Sequence, residues 1–171
     1  LLGRIINKAN KAEDYAKKIK IKMDQISVLS YKFQFKPKVY FEEWNDPLIT
    51  GIKWVSELIE IAGGIDIFKN KSFEPLALNR IIKNPSTIVK ENPDIIIGSW
   101  CGKKLKKEEI TCRDGWDKIN AVRNNQVYEI KSPLILQPGP AALTDGLDEI
   151  FKIILKWENF ITSSCKIYMQ K

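Results

Sequence analysis

Ile95-Ile96-Ile97 is the tightest constraint on the fold of this chain. Asn92-Pro93-Asp94 precedes it and Gly98 follows, so turn residues bound a short, purely apolar run. Such a run has no polar side to offer to water. It suits a strand covered on both faces, as in a parallel sheet between helical layers. Val39-Tyr40-Phe41 and Gln126–Ile130 read as two further strands.

Helical patterns separate these strands. Apolar residues at Leu2, Ile5, Ile6, Ala9, Ala12, Ala16, Ile19, Met23, Ile26 and Leu29 step by three and four. Residues 1–30 therefore read as one long helix. At ~1.5 Å per residue it would span roughly 45 Å, long for a compact domain. A second helix is expected from about Thr50 to Ala62, stopped by Gly63-Gly64. Asn84-Pro85-Ser86 looks like the start of a short helix over Thr87–Glu91. Others are expected near Lys106–Ile110, Gly115–Ile119 and, amphipathic, Ala141–Trp157, with residues 159–171 as a tail. Strands alternating with helices imply parallel pairing through crossovers. The expected fold class is α/β: a three-layer parallel-sheet lobe (Rossmann-like) over residues 37–158, preceded by a long backbone helix.

In such sheets ligands bind beyond the carboxyl ends of the strands. Glu42–Pro47, Ser99–Gly102 and Ser132–Pro140 all follow strands, so they should crowd one edge. In the first, Glu42 and Glu43 point to opposite sides, and Trp44 offers a flat aromatic surface. A solvated acidic turn with Trp44 as a core plug is the alternative. Trp100 in the second either lines the same cleft or packs beneath its loop. Pro133-Leu134-Ile135-Leu136-Gln137-Pro138-Gly139-Pro140 is rigid and apolar. It reads as a preformed wall with Leu136 as apolar surface and Gln137 as polar anchor, or as a buried crossover.

Composition excludes several classes. The 171 residues are 44% hydrophobic, too apolar for a disordered chain. The charge is +7, yet the lysines are scattered, with no basic stripe interleaved with aromatics. A nucleic-acid partner is therefore not expected. There is no histidine, the commonest metal ligand and general base, and none to activate Cys101 as a nucleophile. Cys101, Cys112 and Cys165 lack zinc spacing. Cys101 and Cys112 are the pair an oxidising compartment could join. No metal site and no catalytic cofactor are expected.

The stretches VYFEEWNDPLITGIKWVSELIEIAGGIDIF, IVKENPDIIIGSWCGKK and GWDKINAVRNNQVYEIKSPLILQPGPAALTDGL follow the long helix in order. Over roughly residues 1–155 the chain resembles the cobalamin-binding, class III periplasmic substrate-binding proteins of ABC importers. The resemblance implies two α/β lobes joined by an interlobe backbone helix, of which this chain matches the helix and the C-terminal lobe. An N-terminal lobe and any export signal are then expected upstream, in keeping with a first residue that is not Met. It also implies a non-enzymatic protein, periplasmic or membrane-anchored outside the cytoplasm, that passes a small molecule to a membrane permease.

Cobalamin or a related corrinoid is the leading ligand on this resemblance, and an iron chelate (siderophore or haem) is next. Trp44 sits near the family's ligand-facing aromatic, Trp100 lies on the next cleft loop, and Gln137 falls near a family arginine. The family's permease-contacting glutamate, seven residues before the proline matched by Pro93, falls on Ser86, with Glu91 a conceivable substitute. A rival reading is a chelatase-like α/β enzyme with Glu42 or Glu43 as general base.

Overall fold

The computed structural model describes residues 1–169. Its five-stranded sheet comprises β1 (Lys38–Asn45), β2 (Leu48–Thr50), β3 (Ile65–Asp66), β4 (Ile95–Gly98) and β5 (Val127–Glu129). The strands lie in the order β2-β1-β4-β5, and β3 runs beside the start of β1. β1, β4 and β5 are parallel: Val39 stands opposite Ile95, Phe41 opposite Ile97, and Ile96 opposite Val127.

The Ile95-Ile96-Ile97 triplet is central and fully buried, as its uniform apolarity requires. Alternation along the strands divides the interior into two cores. Val39, Phe41, Ile95 and Ile97 face one core, which is covered by α2 (Ala9–Tyr31), α3 (Lys53–Ile61) and α9 (Leu147–Met169). Tyr40, Ile96 and Val127 face the other, with Ile88 of α5 (Ser86–Glu91), Ile110 of α6 (Glu108–Thr111) and Ala121 of α7 (Asn120–Arg123). The lobe is thus a three-layer α/β structure.

Several boundaries differ from the sequence expectation. The N-terminal helix is broken: α1 (Leu2–Ile5) ends, Asn7 takes a left-handed φ of 54°, and α2 begins at Ala9. A side chain at Gly3 would meet the Ala12 Cβ at 2.5 Å, so α1 folds tightly onto the start of α2. The helix expected from Thr50 starts at Lys53, because Leu48–Thr50 instead pairs antiparallel with β1. Ser132–Pro140 is not wholly a loop: its first residues form α8 (Ser132–Ile135), four residues long like α4 (Lys69–Ser72), with Pro133 in its first turn. A wide turn over Ala142–Gly146 leads into α9, where Gly146 sits so close to the Leu134 carbonyl that a Cβ would lie 2.5 Å from it. The final helix then runs on through the expected tail to Met169, because Ile161 still packs on the first core.

Candidate functional site

The carboxyl ends of the three parallel strands lie side by side, with Glu42 opposite Gly98 and Gly98 opposite Glu129. The segments that follow therefore converge on one edge, as expected. Cross-links hold them there. The Gly102 amide donates to Ser132 Oγ (3.4 Å) and the Leu105 amide to Glu129 Oε1 (2.9 Å). Leu105 also closes over Gly98, where any Cβ would collide with it. Between the last two segments lies a hollow of about 510 Å³, lined by Trp100, Lys103, Lys104, Glu129, Lys131 and Ser132.

Glu42 does not face that hollow. It is 0% exposed, and its carboxylate accepts three hydrogen bonds: from Trp100 Nε1 (3.0 Å), Arg113 Nη2 (2.9 Å) and Arg113 Nη1 (2.5 Å). A carboxylate taken out of water needs such full compensation. The Arg113 guanidinium in turn stacks on Trp116 at 4.5 Å. Beside this group the Tyr40 phenol is pushed well above its ordinary pKa, first by burial and next by the negative charge of Glu42.

Glu43 points the other way, as strand alternation demands, and pairs with the buried Arg80 at 2.8 Å. Arg80 also donates to the carbonyls of Thr50, Glu74 and Pro75, and so pins residues 74–80 against the end of β2. That pinned segment and the residue before it present Leu76, Leu78 and Phe73 to solvent. Neither glutamate is a free base, which removes the structural support for a chelatase-like reading.

Trp44 lies beyond a bulge in β1, half-buried against the second core, with Nε1 donating to the Asp46 carbonyl at 2.8 Å. Trp100 is only 2% exposed, a packed floor for the hollow rather than an open plate, with Lys103 Nζ 4.8 Å over its ring. Leu136 is half-buried against the first core and Gln137 is exposed. Trp54, unnoticed in the sequence, fixes this third segment by donating to the Ile135 carbonyl at 2.9 Å.

Ser86 and Glu91 part company. Ser86 is exposed at the start of α5 and lines a groove of about 770 Å³ with Asn45, Arg113 and Lys118. Glu91, at the other end of α5, reaches Lys38 at the start of β1 (3.5 Å), far from the carboxyl edge. Cys101 and Cys112 are exposed free thiols.

The arginines could have been read from the sequence. Only four occur among 28 basic residues, and two of them, Arg80 and Arg113, take the adjacent Glu43 and Glu42. A chain that otherwise uses lysine keeps arginine where a planar, multi-donor cation is needed.

The family model for periplasmic binding proteins matches residues 1–134. The chain belongs to this family. Its fold is that of the class III ABC substrate-binding proteins. It is 37% identical over 67 residues to the uncharacterized ABC transporter substrate-binding lipoprotein YvrC of Bacillus subtilis, a match covering 39% of this chain and 20% of YvrC. It is 30% identical over 87 residues to the high-affinity heme uptake system protein IsdE of Staphylococcus aureus, covering 48% of this chain and 28% of IsdE. The solved S. aureus IsdE complexed with heme superposes with a TM-score of 0.73 at 22% identity, over 90% of this chain and 60% of that one. The vitamin B12 binding protein BtuF of Vibrio cholerae gives 0.60 at 17% identity, over 81% and 51%. The chain thus spans well under two thirds of the proteins it resembles. Among the described residues no helix is long and apolar enough to cross a membrane.

Proposed function

We propose that this chain is a ligand-capturing lobe of an ABC importer's substrate-binding protein, working outside the cytoplasm and delivering its ligand to a membrane permease. The carboxyl edge of the sheet is one wall of the cleft, and an N-terminal lobe supplies the other. The observation that carries the ligand reading is the lysine rim of the 510 Å³ hollow: Lys103, Lys104 and Lys131 surround a floor made by Trp100. Such a rim suits an apolar-bodied ligand with anionic groups, because charge-assisted contacts are the strong ones.

An anionic iron chelate, haem or a carboxylate-bearing siderophore, fits best. The likeness to IsdE supports this, although with no histidine the chain offers haem iron no imidazole. Cobalamin is the second reading. It carries a single anionic phosphodiester, and what favours it is Trp44, whose half-exposed ring flanks the same edge. Ser86, on the 770 Å³ groove, is the better-placed permease contact, while Glu91 sits at the wrong end of α5.

Titration of the chain with haemin, a ferric siderophore and cyanocobalamin, followed by tryptophan quenching, tests these readings. The expected order of affinity is anionic chelate first, with binding weakened by salt as screened ion contacts require. Tighter, salt-insensitive binding of cyanocobalamin would reverse the order. Saturable binding of none of the three would remove the ligand-site assignment. Trp44→Ala should weaken cyanocobalamin more than haemin if Trp44 is the corrinoid's aromatic contact.

A further inference from the structure

We propose that Glu42 and Arg113 are positioning residues for the ligand edge: their buried ion pair fixes the Trp100 indole, and through it the lysine rim of the hollow. The inference rests on reading that edge as the ligand site. It concerns two residues that themselves touch no ligand there.

Glu42 occupies the last regular position of β1 before the bulge, with no exposed surface. Apolar residues of similar volume in place of the whole ion pair would cost little stability, so the charges call for a reason. What a carboxylate adds is direction. It presents acceptors at fixed points, and one of them takes the only N–H of the Trp100 side chain. Arg113 holds the carboxylate in place with a two-pronged contact. Arg113 is itself set from outside the sheet. Its guanidinium rests on Trp116, and its backbone carbonyl accepts from the Trp116 amide at 3.1 Å across a turn in which Gly115 adopts φ 73°.

From Trp100 the contacts continue outward to the hollow. Lys103 lies over the indole, and Glu109 holds Lys103 at 3.3 Å and accepts from Asn45 Nδ2 at 2.9 Å. Desolvation is the largest single influence on the Glu109 carboxyl and raises it, but the hydrogen bonds and charges of Lys103 and Lys106 together outweigh it and hold the group below its usual range. The series Arg113, Glu42, Trp100, Lys103 therefore ties a turn outside the sheet to the cationic rim. Without the carboxylate the indole N–H would be buried unpaired, which is costly enough to turn the ring toward water.

The test separates positioning from mere stability. In the full chain, Arg113→Met should lower the melting temperature, because it leaves Glu42 buried and uncompensated. The double variant Glu42→Met/Arg113→Met should recover that stability while exchange of the Trp100 indole proton speeds up by about tenfold or more. That resonance is assigned with Trp100→Phe, and Arg123→Ala serves as a surface control. In the same double variant, haemin affinity should fall by about tenfold, the rim no longer being held. Wild-type indole protection in the double variant would overturn the proposal, whatever its stability. Should the double variant fail to fold, Arg113→Lys decides. A point cation cannot reproduce the two-pronged contact that holds the carboxylate, so unchanged indole exchange there would likewise overturn the proposal. If the wild-type chain binds no haemin, the ligand reading fails on its own, while the exchange measurement still decides whether the pair positions Trp100.

Discussion

α2 and α9 are both 23 residues long, and both pack on the first core. They spend that length differently. α9 buries Leu147, Ile150, Ile153, Ile154 and Trp157. α2 buries only Ile26 and Ser30, while Ile21, Val28 and Leu29 stand 56%, 60% and 50% exposed. The difference separates a helix that belongs to the lobe from one that is attached to it. α9 closes the helical layer over the sheet. α2 touches the lobe along its last turns, and its N-terminal half is almost wholly exposed.

The largest effect should come from the α9 side. Trp157 is 6% exposed in the core formed with Val39, Ile97 and Leu58. Trp157→Ala removes a large apolar volume that rigid neighbours cannot refill, and should cost about 3–5 kcal/mol in chemical denaturation. A comparable cost for Ile21→Ala on α2 would erase the distinction between the helices.

This contrast was only half legible in the sequence. The βα alternation, the buried Ile95-Ile96-Ile97 strand and the converging edge all follow from periodicity and turn chemistry, which are local signals. Periodicity also showed an apolar stripe on α2, but a stripe does not say how much of itself is covered. Leu2, Ile5 and Ile6 fit the pattern and are exposed. The setting of Glu42 is illegible for the opposite reason. Its partners Trp100 and Arg113 lie 58 and 71 residues away, and no local pattern brings them together. The helix expected from about Thr50 begins later because Leu48–Thr50, three residues and too few to show a strand period, pair with β1 by a tertiary choice.

A smaller effect is expected where the two helices meet. Lys22 of α2 and Asp148 of α9 are paired at 2.5 Å, each about one third exposed. A half-solvated pair loses most of its attraction to water and salt. Lys22→Met should therefore cost about 0.5 kcal/mol or less, and the cost should fade further in high salt. A salt-independent loss several times larger would mean that this contact, rather than the Ile26 anchor, fixes α2 to the lobe.

The smallest effect on stability should come from the exposed stripe itself, and there the outcome of interest is association. Ile21→Ser/Val28→Ser alters two side chains that are more than half exposed, so it removes little buried area. Stability should change by less than about 0.5 kcal/mol. Yet Ile21, Val28 and Leu29 lie on one face of the helix, seven and eight residues apart, and form an apolar strip crossed by Asp24 and Gln25. A strip left open to water favours self-association through its own face. Sedimentation of the full chain over a range of concentrations should show association that the double substitution reduces, while the melting temperature stays put. Unchanged association would place the sticky surface elsewhere, and the exposed Phe73, Leu76 and Leu78 segment at the carboxyl edge is the next to substitute.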